Sequence, residues 1–356
     1  MGSASSSRTR TTNAQERITV FNFDVKRFVD IQSGAVEMAS RIDDVISGCI
    51  ARGARNVFFL GTGGAGILML PAVRLIDGHT SFPVFNPQPA ELVLEGHSHL
   101  GSQSIVVIPS LSGTTKESIE ALAYCRERGA TVITFTGHAD TPLAQDADHA
   151  FVNFGEDDTS SESFYLQSLL VGASIAKAVD GYAHYDELVA DVSRLPELLV
   201  GVKQQYEERA SILADVLKDS DYHIISGAGS TWAEAFYYGM CILEEMQWIK
   251  TRPIHGADFF HGTLELVEDN VSVLILKGED ATRPVMDRVE RFAGRYSTIV
   301  NVLDAAEADL PGVSTRTREL ISPVILATIL ERVSAHLEFK RDHPLTTRRY
   351  YKRVQY

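Results

Sequence analysis

The stretch NVFFLGTGGAGILMLPAVRLI, residues 56–76, decides the fold, because an apolar run of strand length ends in a glycine turn and the chain then continues as a helix. A short continuous apolar run bounded by glycines is typical of a buried strand, and apolar residues recur at helical spacing from Ile67 onward. A strand, a turn and a helix in this order form the repeating unit of a parallel α/β sheet.

The same unit recurs along the chain and predicts its architecture. Further strands are predicted at residues 82–85, 104–109, 131–136 and 149–154, and then at 222–225, 271–276 and 298–303. Helices are predicted at residues 24–52, 116–127, 164–180, 188–218, 231–250, 283–296 and 322–340. A second glycine turn, SGAGS at residues 226–230, follows a strand as the first one does. We therefore predict two related α/β domains in tandem, each a doubly wound parallel sheet flanked by helices.

The predicted domain limits follow from changes in composition. Residues 1–20 have no apolar signal core and are predicted to form a disordered tail. The first domain is predicted over residues 21–200 and the second over residues 201–341. Residues 342–356, DHPLTTRRYYKRVQY, are basic and aromatic, which favours a C-terminal tail that packs on the rest of the protein.

Composition narrows the classes of function. A hydrophobic content of 44% and a charged content of 22% are ordinary for a folded soluble protein. The formal net charge of −14 argues against binding to nucleic acid or to anionic membranes, which needs a basic surface. The cysteines Cys49, Cys125 and Cys241 form no metal-binding pattern and favour a reducing compartment. We predict a cytoplasmic protein with no metal site.

The stretch SLSGTT, residues 110–115, is a candidate phosphate-binding loop. Ser110, Ser112, Thr114 and Thr115 follow a predicted strand and precede a predicted helix, where free backbone N–H groups favour an anion. Ordinary N-capping explains one such hydroxyl, but this stretch offers four.

The glycine turn GTGGAG, residues 61–66, is a second candidate, with Gly63 and Gly64 at its centre. It lacks the ribose-binding acid of a dinucleotide site and does not end in G-K-[ST], so those two classes are disfavoured. A simple tight turn explains it equally well.

Glu245 and His261 are the candidate catalytic pair. Steps of three and four residues along the predicted helix place Glu245 on an apolar line, where a carboxylate needs a partner or a raised pKa. His261 follows sixteen residues later, between Phe260 and Gly262. Each alone has an ordinary structural explanation, as an ion-paired carboxylate or a core histidine. Together they suit proton transfer at carbons next to a sugar carbonyl, with Asp258 and His255 placed to orient them.

These residues resemble a known family. The pattern Ser110-x-Ser112-Gly113-x-Thr115, with Glu245 and His261, resembles the SIS (sugar isomerase) domain family. More narrowly, residues 56–356 resemble the bacterial fructosamine-6-phosphate deglycases, especially those that act on 6-phosphofructose-aspartate. The resemblance rests on GYAHYD at residues 181–186, on residues 226–229, on EMQW at residues 245–248, on FFHG at residues 259–262, and on HPLTTRRY at residues 343–350.

The resemblance implies a tandem-SIS homodimer with sites near the subunit interface and a tail that closes over a site. Phosphate would be held by Ser110, Ser112 and Thr115, with Gly63, Gly64 and Thr114 beside them. Glu245 and His261 would be base and acid, in either order. Glu91, Arg348 and Tyr350 join Asp258 and His255 as accessory candidates.

The expected activity is cleavage of a 6-phosphorylated fructosamine to glucose 6-phosphate and a free amine, which needs no cofactor. Aldose–ketose isomerisation of a sugar phosphate and non-catalytic sugar-phosphate sensing are the alternatives. The amine and the sugar are left open.

Overall fold

A computed structural model describes residues 20–355 of the chain, and nearly all of the tail predicted over residues 1–20 lies outside this range. Within it, the first sheet comprises β1 Asn56–Phe59, β2 Val84–Phe85, β3 Ser104–Ser110, β4 Thr131–Thr136 and β5 His149–Val152. The second comprises β6 Tyr222–Gly227, β7 Lys250–His255, β8 Ser272–Lys277 and β9 Val300–Asp304. Every pairing in both sheets is parallel.

The strand order confirms the predicted fold class. The first sheet runs β2-β1-β3-β4-β5 and the second β7-β6-β8-β9, so both halves begin with the same flavodoxin-like order. In each half the direction of strand addition reverses beside the first strand, between β1 and β3 and between β6 and β8. Ligands of open α/β sheets bind at the carboxyl ends of the strands at this reversal.

The helices cover the sheets and form the contact between the halves. They are α1 Val25–Val36, α2 Ala39–Ala51, α3 Gly64–Ile67, α4 Leu70–His79, α5 Pro89–Glu95, α6 Lys116–Glu127, α7 Pro142–Asp146, α8 Ser160–Asp180, α9 Tyr185–Val192, α10 Leu195–Asp219, α11 Trp232–Tyr237, α12 Arg283–Tyr296 and α13 Thr315–Arg341. The predicted boundary at residue 200 falls inside α10, which packs along α13. The domain limits therefore stay a prediction.

Successive side chains along each strand point to opposite faces of the sheet, and the apolar core accordingly has three parts. Val57 and Phe59 of β1 belong to a central core that both halves share, while Phe58 belongs to an outer core on the far side of the first sheet. In β6, Ile225 joins the central core and Ile224 joins a separate outer core. The inner faces of the two sheets are thus covered by one continuous layer of side chains.

Helix α13 is the one helix in the described part of the chain that is long and apolar enough to cross a membrane. However, 83% of its apolar window is buried inside the protein. Its Arg332 is fully buried and donates from Nε to Glu207 of α10 at 2.9 Å. This helix is therefore a core element that ties the halves together.

The segment predicted as one helix over residues 231–250 is built differently. A 3₁₀ turn, Gly229–Thr231, leads into α11, and a π-helix, Tyr238–Met246, follows. The last predicted residue, Lys250, begins β7, which pairs with β6 at one edge of the second sheet. Proline is tolerated on an edge strand, so Pro253 does not prevent the pairing. No strand was predicted between residues 225 and 271, so β7 was missed.

Candidate active site

The glycine turn of residues 61–66 joins β1 to α3 at the carboxyl edge of the first sheet. It is so tight that a Cβ on Gly61 would stand 2.3 Å from the Cα of Gly66, and Gly63 has a φ of 58°. The hydroxyl of Thr62 is buried without a hydrogen-bond partner. The turn brings unblocked backbone close to the end of the neighbouring strand β3.

The SLSGTT loop follows β3 on the other side of the strand reversal. Its hydroxyls bond to one another: Oγ of Ser110 lies 3.2 Å from Oγ1 of Thr115, and Thr114 donates from Oγ1 to Oγ of Ser112 at 3.2 Å. The N-cap of α6 is Thr115, whose side chain accepts no hydrogen bond from the helix backbone. Side-chain capping by Thr115 is therefore excluded, and the amino end of α6 is suited to an anion.

The equivalent place in the second half is occupied by a carboxylate of the chain itself. Asp280, just after β8, accepts hydrogen bonds from the backbone N–H and the hydroxyl of Ser230 at 2.9 and 2.6 Å. It also accepts one from the backbone N–H of Thr282 at 2.8 Å. Burial alone would raise the pKa of Asp280, but these hydrogen bonds outweigh it and hold the pKa below its usual range. An external anion would be repelled here, which favours the first half as the phosphate site.

Glu245 lies near the end of the π-helix, with about one third of its side chain exposed. Nε of Arg348, in the C-terminal tail, lies 2.9 Å from Oε1 of Glu245 and forms an ion pair with it. Burial is the largest influence on Glu245 and raises its pKa; the Arg348 charge opposes the rise and the Asp157 carboxylate adds to it. The result is a raised pKa on a carboxylate that keeps an ionic partner.

The π-helix brings Glu245 toward the glycine turn of the other half. A Cβ on Gly64 would lie 2.8 Å from Cε2 of Tyr237 and 3.2 Å from Sγ of Cys241, one turn before Glu245. Burial raises the pKa of the Cys241 thiol, and the charge of Glu245 raises it further, so the thiol is unreactive. The helical segment that leads to the candidate base thus packs against the glycine turn of the first half.

His261 makes no direct contact with Glu245 of the same chain. It is exposed, and among residues 20–355 no hydrogen bond, ion pair or ring contact connects the two. Phe259, in the same 3₁₀ turn, packs in the outer core of the second sheet, whereas Ile242 beside Glu245 packs in the central core. The second sheet therefore separates the packing sites of the two segments. Their pairing stays a prediction.

The five accessory candidates also lie in different parts of the structure. His255 accepts a hydrogen bond at Nδ1 from the backbone N–H of Ala257 and packs edge-on against Trp232, while Asp258 is exposed. Glu91 is exposed on α5, and Tyr350 is 63% exposed. Of the five, Arg348 is the one that contacts Glu245.

The C-terminal tail is held in place over the end of the π-helix. Nε2 of Gln247 donates to the backbone carbonyl of His343 at 2.7 Å, and the ring of Trp248 packs on that of His343. The guanidinium of Arg349 lies 4.1 Å from the centre of the Trp248 ring. The contacts of Gln247 and Trp248 with His343 hold the start of the tail against the end of the π-helix.

Two acidic residues near the site were missed from the sequence. Asp157, in the loop between β5 and α8, accepts from Arg348 at 3.3 Å. Glu234 of α11 is 1% exposed and accepts a hydrogen bond from the hydroxyl of Tyr165 at 2.9 Å; burial raises its pKa well above the usual range. Glu234 could have been found from the sequence, because it is a carboxylate in an apolar helix, as Glu245 is. Asp157 lies in an ordinary acidic loop and could not.

No group of three or more His, Cys, Asp or Glu side chains suited to a metal ion occurs within residues 20–355. A cavity of about 30 Å³ lies behind the π-helix, against α13 and Leu345 of the tail, and includes Glu234 and Tyr237 in its lining. This volume is on the scale of a single water molecule. It is too small for a sugar.

Comparison with known proteins agrees with this architecture. Residues 51–177 match the model of the SIS domain. Fructosamine deglycase FrlB of Bacillus subtilis (strain 168) is 28% identical over 85% of this chain and 92% of its own length. Fructoselysine 6-phosphate deglycase of Escherichia coli (strain K12) is 24% identical over 86% and 88%. The crystal structure of a candidate phosphosugar isomerase from Salmonella typhimurium LT2 has a TM-score of 0.84 and 31% identity, over 90% of this chain and 97% of that one.

The chain belongs to the SIS domain family. The predicted family and the prediction of an SIS-family enzyme are confirmed.

Proposed function

We propose that the protein is a deglycase that cleaves a 6-phosphorylated fructosamine into glucose 6-phosphate and a free amine. The observation that carries the proposal is the position of Glu245, a carboxylate of raised pKa on the helix that packs against the glycine turn of residues 61–66. The names of the deglycase relatives support the same class of substrate.

The phosphate is assigned to the SLSGTT loop. Its four hydroxyls and the amino end of α6 offer neutral donors at the strand reversal of the first sheet. Ser110, Ser112 and Thr115 hold the phosphate oxygens, and Thr114 and the backbone of Gly63 and Gly64 complete the pocket. The corresponding place in the second half is excluded by the carboxylate of Asp280.

The chemistry is two proton transfers followed by hydrolysis. A base removes a proton from C1 of the open-chain ketosamine, an acid protonates the C2 carbonyl oxygen, and the electron pair of the broken C–H bond becomes the double bond of a C1–C2 enaminol. Protonation at C2 converts the enaminol to an aldimine, which water hydrolyses to the aldose phosphate and the amine. Glu245 is the base, since a raised pKa makes a carboxylate a stronger one. No redox step occurs, so no cofactor is required.

His261 is assigned as the acid, supplied by a second copy of the chain. Its side chain is exposed and its segment packs on the outer face of the second sheet, so it is available to a neighbouring molecule. A homodimer with sites near the interface follows from this assignment. A cytoplasmic location and a small-molecule substrate, without nucleic acid or membrane, belong to the same proposal.

The test is incubation of the purified protein with a panel of fructosyl-amino-acid 6-phosphates. Release of glucose 6-phosphate and of amine in equal amounts supports a deglycase. Interconversion of aldose and ketose phosphates without C–N cleavage establishes an isomerase instead. Binding without turnover of any of these compounds establishes a sensor. The Glu245→Gln variant, measured beside the wild type, excludes a contaminating enzyme.

A further inference from the structure

The side chain of Arg348 joins the two halves of the candidate active site. It is only 12% exposed, and its two terminal nitrogens donate hydrogen bonds while its Nε forms an ion pair. Nε lies 2.9 Å from Oε1 of Glu245, one terminal nitrogen donates to Asp157 at 3.3 Å, and the other donates to the backbone carbonyl of Leu345 at 2.6 Å. The guanidinium is thus held between a carboxylate of the second half, a carboxylate of the first half and its own tail.

The acidic residues of the loop that contains Asp157 form ion pairs with two different arginines. Glu156 and Asp158, on either side of Asp157, both pair with Arg27 of α1. Asp157 pairs instead with Arg348. The alternation gives each arginine its own acidic partners, and Arg348 takes Asp157 as its partner from this loop.

An exposed ion pair contributes little, typically about 0–1 kcal/mol, and would carry no argument here. The Arg348–Glu245 contact differs because the arginine is largely buried and because hydrogen bonds from both terminal nitrogens, to Asp157 and to Leu345, fix its planar guanidinium. A guanidinium held in this way restricts the position of the carboxylate that pairs with it.

We propose that Arg348 is a positioning residue for Glu245, which orients the carboxylate for proton abstraction and keeps it ionised, and that Asp157 holds Arg348 in that place. The inference rests on the proposed function, in which Glu245 is the base.

The charges around Glu245 decide the expected pH effect. Arg348 and Lys352 of the tail favour the ionised carboxylate, while Asp157 and burial disfavour it. Cys241, on the same helix, is a neutral thiol. Loss of Arg348 therefore shifts ionisation of Glu245 to higher pH, so activity is lost first on the acid side.

The experiment compares Arg348→Met with Arg349→Met, its neighbour in the tail, which packs on Trp248 instead. For Arg348→Met we expect kcat to fall at least about tenfold at pH 6 and clearly less at pH 9, with KM changed less than kcat. Arg349→Met should keep the wild-type pH profile. Arg348→Lys, which retains the charge but not the fork, should recover the pH profile but only part of kcat.

Asp157→Asn provides a second route that leaves Arg348 in the chain. We expect a lower kcat, and we expect the double variant Asp157→Asn/Arg348→Met to lose less than the two single losses combined, since both act through one contact. Equal effects of Arg348→Met and Arg349→Met, or an unmoved pH profile in Arg348→Met, overturn the inference. Low concentrations of guanidinium ion should partly restore Arg348→Ala.

A readout independent of turnover separates this inference from the proposed function. The Glu245 carboxyl carbon, assigned by its loss in Glu245→Gln, is titrated by ¹³C NMR in the wild type and in Arg348→Met. A higher titration midpoint in the variant supports the contact even if no deglycase activity is found. An unchanged midpoint refutes it even if the protein is a deglycase.

Discussion

The backbone of Gly64 lies against the ring of Tyr237, so that a Cβ at residue 64 would stand 2.8 Å from Cε2 of Tyr237. Gly64 follows the first strand of the first half, and Tyr237 precedes the π-helix of the second half. The close packing of the two halves at this point therefore depends on the absence of a side chain at residue 64.

We predict that Gly64→Ala lowers the free energy of unfolding by about 1–3 kcal/mol and also reduces kcat/KM, because the added methyl must displace Tyr237. Gly78→Ala is the matched control: Gly78 is exposed in α4 with nothing within 4 Å of an added Cβ, and its replacement should stabilise by roughly 0.5 kcal/mol. Urea unfolding measures the free energy of unfolding of both variants. A Gly64→Ala protein as stable and active as the wild type would show that the contact is not tight.

Glu245→Gln and His261→Asn should each reduce turnover at least about a hundredfold without loss of the fold, the usual scale for a general base or acid. If His261 acts in the site of a second copy, mixing the two inactive variants should restore about a quarter of wild-type activity through heterodimers with one complete site. Absence of any recovery after subunit exchange is verified would place both residues in the same chain's site.

The pair Ser110→Ala and Ser112→Ala should raise KM for the phosphorylated substrate about tenfold or more, since hydrogen bonds to a charged group contribute about 1.5–3 kcal/mol each. The same compound without its phosphate serves as control, and its weaker turnover should not change. An unaltered KM for the phosphorylated compound would mean that the phosphate binds elsewhere.

Asp280→Asn should lower the free energy of unfolding by about 1–3 kcal/mol at pH 7, because the carboxylate accepts hydrogen bonds from Ser230 and Thr282. The pKa of Asp280 is lowered in the fold, so its stabilisation is fully present above the ordinary pKa of aspartate. It is lost as the pH falls through the lowered value. Unfolding measured from neutral to acid pH should show the wild type and the variant converging. A constant difference across that range contradicts the assignment.

Glu234→Gln should stabilise the protein at pH 8 by at least about 1 kcal/mol. The raised pKa means that the folded state binds a proton that the unfolded state releases, so wild-type stability declines as pH rises above the ordinary pKa of glutamate. Glutamine keeps an acceptor for the hydroxyl of Tyr165 and removes the titration. Glu234→Leu is the control, since it leaves that hydroxyl without a partner. Thermal unfolding of the wild type and of both variants, measured across pH, tests this prediction.

Much of the first half followed from the sequence because its strands are short, apolar and bounded by glycines. Residues 56–60 and 104–109 were recognised nearly to the residue, and with them the two loops at the strand reversal. The order of the strands was not readable from the chain, yet it is what brings those loops together.

The errors lie where a local pattern cannot record tertiary context. Steps of three and four residues assume an α-helix, but residues 238–246 form a π-helix, and Trp248 adopts a left-handed φ of 56°. The sixteen residues from Glu245 to His261 contain the edge strand β7, which the sequence pattern did not indicate. The partnership of Asp157 with Arg348 spans 191 positions and left no sequence signal.

The tail contact also has a consequence for biosynthesis. Arg348 is translated after Glu245, His261 and the residues of the candidate phosphate loop, and domains fold from the amino end as they emerge. The sheet of the first half and its loops are thus available to fold while the bridge to Glu245 is still missing. A nascent or truncated chain that ends before the tail lacks this bridge, so the bridge to Glu245 forms only after Arg348 has been translated.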